Sequence, residues 1–261
     1  MFKDVWRYRY FIFTSIRNEF STRFARSRFG TLWMIINPLV QVAIYALVLS
    51  QVLAAKLPHI DNKYAYSIYL MAGLLAWSLF SDIVTRNVSL FIDNGNLMKK
   101  INFPHVTLPC IAIGSSLLNN LLLFLAMLGV LLCFGVKFSL LVLWIFPLML
   151  IVMMFSFGVG LILGVINVFL RDLNHVVPIA LQVGFWLTPI VYTENIIPDS
   201  FQHWLNLNPI VPIVNAYHQI LVYGNAPELK GLFVSGFVGL LLMWLGLFLF
   251  RRASSEMVDV L

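Results

Sequence analysis

Charged residues are scarce in this chain. Only 11% of its 261 residues are Asp, Glu, Lys or Arg, whereas 61% are hydrophobic and the mean hydropathy is +0.90. Soluble domains have about 25% charged residues, and a folded chain of this size would have to expose much of its apolar surface to water. The composition excludes an ordinary cytosolic enzyme, a disordered chain and a secreted disulfide scaffold. It indicates a protein whose main solvent is a lipid bilayer.

Cysteine is nearly absent, since the chain holds only Cys110 and Cys133. On one helix, at about 1.5 Å per residue, the two would lie roughly 35 Å apart, too far for a disulfide. The first 30 residues are basic and aromatic, and they lack the apolar core and small-residue cleavage site of a signal peptide. We therefore expect a retained, cytoplasmic N-terminus.

Motifs of catalytic and nucleotide-binding sites are also missing. The sequence contains no GxxxxGK[ST], HExxH, CxxC or GxSxG, and no pair of carboxylates within one predicted span. Asp82 is the clearest acidic residue in a span, and Arg86 follows four residues later on the same helical face. This spacing predicts a local ion pair. A carboxylate within the membrane is also typical of ion coupling, which leaves an ion-coupled carrier as an alternative.

Apolar runs long enough to cross a bilayer occur six times. A helix needs about 20 apolar residues to cross roughly 30 Å of hydrocarbon, and helices satisfy the backbone polar groups within lipid. The predicted spans lie near Leu32–Leu53, Tyr66–Leu90, Val106–Phe134, Leu140–Phe169, Val176–Tyr192 and Leu232–Phe250. Two shorter apolar stretches, around Ile197–Leu205 and Ile210–Val222, are predicted to dip into the outer leaflet as short helices.

Positive charge is unevenly distributed between the loops that join these spans. Lys56, Lys63, Lys137 and Lys230 fall on the outside, while the other basic residues fall on the inside. Because Lys and Arg concentrate on the cytoplasmic side of membrane proteins, both termini are predicted to be cytoplasmic.

The N-terminal residues have the spacing of an amphipathic helix. The apolar face holds Trp6, Tyr10, Phe13, Ile16, Phe20 and Phe24. Arg7, Glu19 and Arg26 fall on the opposite face. This pattern predicts a helix that lies in the membrane interface, with long basic side chains reaching the headgroups.

Small residues recur every four positions in the fourth predicted span. Ser156, Gly160 and Gly164 form a small-xxx-small pattern, which permits close helix approach. The surface that packs there belongs either to another helix of the same chain or to a second copy.

Two inward loops carry the remaining unusual chemistry. The first, DNGNLMKKINFPH at residues 93–105, is predicted to form a short helix that presents Met98 and its neighbours to the cytoplasm. Solvated loops rarely expose such apolar residues, so a protein partner is expected, with a headgroup-facing turn as the alternative. The second loop contains Arg171 and Asp172, which we expect to cap helix ends or to contact the same partner.

Six segments of the chain resemble, in the same order, signatures of the ABC-2 type polysaccharide export permeases. They are EFSTRFARSRFGTLWMIINPL (19–39), GLLAWSLF (73–80), NGNLMKKINFPHVTLP (94–109), NVFLRDLNHVVP (167–178), TPIVY (188–192) and LNPIVPIVNAYHQILVYG (207–224). The resemblance covers nearly the whole chain. It is strongest to the O-antigen exporter (Wzm) branch, with the capsule and teichoic acid exporter permeases as relatives.

The resemblance implies an all-α integral membrane protein with the ABC-2 (type V exporter) fold in a single domain, 1–261. Residues 1–29 would form the cytoplasmic interface helix and 30–192 the first five spans. Residues 193–230 would form two short re-entrant gate helices on the outer side, and 231–261 the sixth span and a cytoplasmic tail. The expected location is the bacterial inner membrane.

The resemblance further implies a homodimer joined to two copies of a separate, Wzt-like ATPase, which binds ATP and Mg²⁺. This chain would hold no catalytic site, cofactor or metal, and would bind membrane lipids but no nucleic acid. Its substrate would be a polysaccharide linked to polyprenyl pyrophosphate, with O-antigen as the first expectation.

Particular residues acquire roles from the same resemblance. The ATPase-coupling surface would consist of Asn94, Asn96, Leu97, Met98, Lys99, Lys100, Arg171 and Asp172. Arg23, Arg26 and Arg28 would bind the lipid pyrophosphate, since the forked guanidinium suits phosphate. The aromatic side chains expected to pack against the glycan, or alternatively to form an interfacial belt, are Trp33, Trp77, Phe185, Trp186, Tyr192 and Tyr217.

A membrane enzyme acting on polyprenyl-phosphate-linked glycans remains a further alternative. It would use the same arginines and aromatic residues, and it would also need a carboxylate at the membrane edge as a base or metal ligand. Asp93 and Asp172 are the residues available for that role.

Overall fold

The computed structural model describes residues 2–23, 32–47, 65–100, 103–133, 135–136, 139–193, 205 and 207–260. These residues are almost entirely helical, and no strand occurs among them. The helices are α1 (Phe2–Arg7), α2 (Arg9–Arg23), α3 (Trp33–Leu47), α4 (Ala65–Asp93), α5 (Gly95–Lys100), α6 (Thr107–Cys133), α7 (Ile145–Phe169), α8 (Leu173–Trp186), α9 (Val211–Leu221) and α10 (Leu229–Val260). A 3-10 turn, Leu140–Trp144, leads into α7.

Four helical segments are long and apolar enough to cross a bilayer. They are Ala65–Asp93, Thr107–Cys133, Leu140–Phe169 and Leu229–Ser254. Each coincides with a predicted span. The first predicted span is described only as α3, and residues 48–53 of it lie outside the described residues. The segment predicted around Ile197–Leu205 also lies almost wholly outside them, whereas α9 falls within the predicted stretch 210–222.

The fifth predicted span requires a correction, because α8 ends at Trp186 rather than at Tyr192. The 14 residues of α8 span about 21 Å, less than the hydrocarbon thickness. Pro189 explains the stop: a residue before proline disfavours helical geometry, and proline offers no backbone donor. The Thr188 hydroxyl instead donates to the Gly184 carbonyl oxygen at 2.8 Å.

Helix α7 lies between α4 and α10, and the small-residue pattern forms its contact with α4. A Cβ atom placed on Gly160 would lie 2.9 Å from the Asn87 Cβ and 3.2 Å from the Val84 Cα. On Gly164 it would overlap the Asn87 carbonyl oxygen. Helices in lipid associate largely through such close packing. The pattern therefore serves packing within the chain.

The predicted N-terminal amphipathic helix forms two helices, α1 and α2, and α2 packs against α6 through part of the predicted apolar face. Phe20 is buried, and a Cβ on Gly114 of α6 would collide with the Ile16 side chain. Trp6, Tyr10 and Phe13 remain 72–76% exposed. The predicted apolar face is therefore divided between a part that packs on α6 and three rings that face away from the chain. Phe24 lies outside the described residues.

Candidate functional site

Helix α5 connects α4 to α6 at one end of the molecule. Asn96, Lys99 and Lys100 are exposed on it, and Leu97 is half-buried. The Asn94 side chain fixes the turn between α4 and α5. Its Nδ2 donates to a carbonyl oxygen of the last turn of α4 at 2.8 Å, and its own carbonyl oxygen accepts the first α5 hydrogen bond at 3.0 Å. Hydrogen bonds on both sides of the turn therefore fix the direction in which α5 leaves α4.

Met98 does not face outward as predicted. Its side chain is 4% exposed and belongs to a buried cluster with Phe91, Phe103 and Met257. The cover comes from α10, which continues as one helix to Val260 and packs against α5. The expectation of an exposed Met98 is therefore wrong, because α10, which begins at Leu229, supplies part of its apolar surroundings. The outer face of α5 is amide and ammonium instead.

The second inward loop lies at the same end of α4. Asn167, near the end of α7, donates to the Val88 carbonyl oxygen of α4 at 2.7 Å and to the Asn174 Oδ1 at 3.0 Å. These bonds hold the turn that exposes Arg171 and Asp172. The two predicted coupling loops are thus both anchored on the last turns of α4.

The predicted helix-capping role of Asp172 is corrected by the structure. Asp172 is the residue before α8, but within the described part of the chain its side chain makes no capping hydrogen bond. Its backbone carbonyl oxygen accepts hydrogen bonds from the amides of His175 and Val176 instead. Within the described residues, the Asp172 carboxylate therefore accepts no hydrogen bond from the first turn of α8, and it stays exposed.

A charged network joins the N-terminal helix to the spans. Arg86 Nη1 donates to Glu19 Oε1 at 2.5 Å, and Arg86 Nε lies 3.0 and 3.1 Å from the two carboxylate oxygens of Asp82. The Ser115 hydroxyl of α6 donates to Glu19 Oε2 at 2.6 Å. The predicted Asp82–Arg86 pair is confirmed. Because Asp82 is paired, it gives the ion-coupled carrier little support.

Glu19 itself was predicted on the outward face of the N-terminal helix, and that prediction is wrong. It lies half-buried between α4 and α6, where the Arg86 guanidinium and the Ser115 hydroxyl satisfy it. The helical spacing of α2 carried no signal for this placement, because both partners are far away in the sequence. A charged side chain near lipid needs such pairing.

Of the three arginines predicted to bind the pyrophosphate, one falls within the described residues. Arg23 is the last residue of α2, and Arg26 and Arg28 lie outside the described residues. Their role remains a prediction.

Three of the predicted aromatic residues form one cluster with two phenylalanines that the sequence analysis missed. Trp77 lies 5.3 Å from Phe80 and 5.9 Å from Phe185, measured between ring centroids. Phe185 lies 5.5 Å from Trp186, and Phe80 lies 5.7 Å from Phe155. Trp186 is 58% exposed, whereas Trp77 is buried. Phe80 follows Trp77 by three residues, and this helical spacing could have placed the two rings next to each other on α4.

Tyrosine hydroxyls hold the turn after α8 against α4. Tyr69 donates to the Tyr192 carbonyl oxygen and Tyr66 to that of Val191, both at 2.9 Å. The Tyr192 hydroxyl donates to the Trp186 carbonyl oxygen at 2.7 Å. The Tyr192 side chain is therefore linked to the aromatic cluster by its hydrogen bond to the backbone of Trp186.

The two remaining predicted rings are Trp33 and Tyr217. Trp33 is half-buried at the start of α3. Tyr217 in α9 is completely buried, so its ring is part of the packed core rather than the wall of a path. The neighbouring His218 stacks on Tyr69 with ring centroids 3.6 Å apart. His218 and Tyr69 both border a cavity of about 1000 Å³ between α9 and α10.

Comparison with known proteins gives a consistent result over nearly the full chain. A family model described as ABC-2 type transporter matches residues 10–222. The O-antigen export system permease protein RfbA of Klebsiella pneumoniae is 28% identical over 246 residues, covering 93% of this chain and 92% of that protein. RfbA of Myxococcus xanthus is 27% identical over 263 residues, covering 98% and 97%. The polysialic acid transport protein KpsM of Escherichia coli is 25% identical over 249 residues, covering 92% of each chain.

Proposed function

The chain belongs to the ABC-2 type transporter family, and from this we propose that it is the permease subunit of an ATP-driven polysaccharide exporter. The cargo is a polysaccharide linked to polyprenyl pyrophosphate, with O-antigen as the glycan, and it moves across the inner membrane. The whole chain, 1–261, forms one membrane domain with both termini in the cytoplasm. Residues 193–230, which include α9, form the outer gate.

One observation supports this proposal most strongly. Two exposed loops of a membrane-embedded chain are anchored on the same end of α4, and similarity to named polysaccharide export permeases covers both of them. The sequence holds no phosphate loop of its own. A separate, Wzt-like ATPase that binds ATP and Mg²⁺ would seat against these loops. The active assembly would contain two permeases and two ATPases.

The packing around α5 supports a route for coupling. Its outer face, with Asn96, Lys99 and Lys100, would contact the ATPase. Its inner face, with Met98, packs in a cluster shared with α4, α6, α7 and α10. Because packed helices transmit displacement as rigid bodies, a movement of the ATPase would reach four helices at once.

The substrate path follows from the chemistry that the cargo requires. Arg23, Arg26 and Arg28 would bind the pyrophosphate as it enters from the inner leaflet. The sugar units would pack against Trp186 and the neighbouring Phe185, where one face of the aromatic cluster is exposed. Trp77 lies behind them and would hold these rings in place.

Charge reversal on α5 tests the coupling assignment. We expect the double substitution Lys99→Glu and Lys100→Glu to abolish co-purification of ATPase activity and to reduce surface polysaccharide more than tenfold, because two exposed cations become anions. The double substitution Arg7→Glu and Arg17→Glu, at two exposed arginines of α1 and α2, serves as the charge-matched control. Normal ATPase co-purification and export by the double variant would refute the assignment.

A further inference from the structure

A polar cavity lies within the spanning helices, between α3, α4 and α6. Its volume is about 380 Å³, in the range of small-ligand sites. Hydroxyl, amide and carboxylate side chains form most of its wall, among them Gln41, Asp82, Thr85, Ser116, Asn119 and Asn120. Asp82 and Asn119 each lie about 16–18 Å from the α5 end of their helix, so the cavity lies near the middle of both helices.

The polar wall follows the helical period of α4. Ser78, Ser81, Asp82 and Thr85 have the spacing i, i+3, i+4, i+7 and form one face of that helix. Trp77 and Phe80 lie on another face, toward the aromatic cluster. Helix α4 therefore presents two different surfaces, an aromatic one and a hydrogen-bonding one.

Two buried polar atoms of the cavity wall are unsatisfied. Asn120 Nδ2 is used, since it donates to the Leu75 carbonyl oxygen at 2.9 Å and to the Ser78 hydroxyl at 3.1 Å. Asn120 Oδ1 and the Ser116 hydroxyl have no hydrogen-bond partner among the described residues. Ser116 is 1% exposed and Asn120 is 3% exposed. A buried polar group without a partner is costly, and the cost is largest in a membrane.

The rim of the cavity is polar as well. Gln41, Thr85 and Asn119 are exposed at the surface of the chain. Polar side chains in the middle of a spanning helix normally face protein or a hydrophilic path, because lipid tails offer them no hydrogen bonds. A molecule that fits this cavity would therefore both donate and accept hydrogen bonds.

Charge excludes an anionic occupant. Asp82 is part of the wall, and no Lys or Arg of the described residues lines the cavity. The nearby Arg86 is occupied by Asp82 and Glu19. A phosphate or pyrophosphate would meet a carboxylate without a free cation, which is unfavourable in this low-dielectric setting.

We propose that this cavity binds neutral sugar units of the exported polysaccharide. Sugar hydroxyls donate to the Asp82 carboxylate and the Asn120 Oδ1, and they accept from the Gln41 and Asn119 amides. The inference rests on the proposed export function and adds a second contact region for the glycan, separate from the aromatic cluster. The pyrophosphate end of the cargo does not enter it.

Photocrosslinking in cells that make their own polysaccharide tests the occupant directly. The variants Gln41→p-benzoylphenylalanine and Asn119→p-benzoylphenylalanine place the probe at the rim, and Leu125→p-benzoylphenylalanine, 60% exposed on α6, is the control. We expect a carbohydrate-positive adduct at the two rim positions that disappears when polysaccharide synthesis is blocked. An adduct that survives this block, as a glycolipid headgroup would give, overturns the proposal. So does an adduct with phospholipid or a second copy, and so does no adduct.

Export measurements separate this inference from the proposed function. The triple variant Gln41→Leu, Thr85→Val, Asn119→Leu should lower surface polysaccharide roughly tenfold, which corresponds to the loss of one or two hydrogen bonds. Its protein level and its ATPase co-purification should stay unchanged. Thr14→Val and Asn18→Leu, at exposed positions of α2, are matched controls.

Wild-type export by the triple variant would overturn the sugar site. If the α5 charge reversal still blocked export in the same strain, the proposed function would stand without this site. If deletion of the whole chain left export intact, the proposed function itself would fail.

Discussion

At the scale of single residues, the side chains with the clearest roles are those whose partners lie far away in the sequence. Glu19 faces Arg86 and Ser115, and Met98 shares a cluster with Met257. Neither contact follows from helical spacing. Both place a side chain of a peripheral helix into the spanning core, so α2 and α5 are held by specific contacts as well as by their position in the chain.

The charged network gives an asymmetric prediction. Glu19→Gln keeps a hydrogen-bonding side chain and leaves Arg86 paired with Asp82. We therefore expect it to lower the free energy of unfolding by about 1 kcal/mol. Arg86→Gln leaves two carboxylates near each other and should cost about 3 kcal/mol, less than a fully buried pair because the Arg86 side chain is 22% exposed. Thermal unfolding of the purified chain in detergent measures both, with Glu256→Gln as an exposed control. Equal destabilisation by the two substitutions would contradict the central role of Arg86.

Truncation of Met98 should affect stability before it affects partner binding. Met98→Ala removes a buried side chain and should destabilise the chain by about 2–5 kcal/mol, whereas Met98→Leu keeps the volume and should cost less than about 1.5 kcal/mol. Lys99→Ala, on the exposed side of α5, should change stability by less than about 0.5 kcal/mol. The melting temperatures of the three variants, compared with that of the wild type, measure these differences. A melting temperature of Met98→Ala equal to that of the wild type would mean that the side chain is exposed.

At the scale of helices, α7 packs so closely on its neighbours that several contact positions have room only for glycine. Its glycines meet α4 on one side and α10 on the other, where a Cβ on Gly158 would lie 2.5 Å from the Leu242 backbone. Helix α10 extends this packing beyond the membrane, because it runs unbroken from Leu229 to Val260 and covers α5. Three spans and helix α5 therefore form one packed unit.

Alanine at two glycines distinguishes this packing from simple helix propensity. Gly160→Ala should destabilise the chain by about 1–3 kcal/mol, because the new methyl meets the backbone of α4. Gly129→Ala should be neutral or stabilising by up to about 1 kcal/mol, since no described atom lies within 4 Å of the new methyl. Unfolding of both variants in the same detergent checks the contrast. A neutral Gly160→Ala would show that α4 and α7 are further apart.

At the scale of the whole molecule, this membrane-embedded ABC-2 chain carries its basic loops at one end and its aromatic and polar surfaces within the spans. Lys99, Lys100, Arg171 and Arg252 are exposed at the α5 end. Deeper in the spans, α4 divides an aromatic face from a polar face. The proposed exporter uses the first region for the ATPase and the second for the glycan.

Local features of this design could be predicted from the sequence, and long-range features could not. The four long spans, the Asp82–Arg86 pair and the close-packing glycines all follow from run length or helical spacing. The end of α8 at Trp186 was missed although Pro189 signalled it, because the apolar run continued to Tyr192. The burial of Met98 and Tyr217 and the inward position of Glu19 depend on helices distant in sequence, which spacing alone does not reveal.

The fate of the polysaccharide in cells that lack this chain tests the central claim most directly. Intracellular and surface polysaccharide would be measured in a deletion strain, with and without the wild-type chain restored. The proposed function predicts that full-length, lipid-linked polymer accumulates inside and is absent from the surface, and that the restored chain returns it there. Absence of the polymer altogether would indicate a biosynthetic enzyme, and normal surface polysaccharide in the deletion strain would contradict an export role.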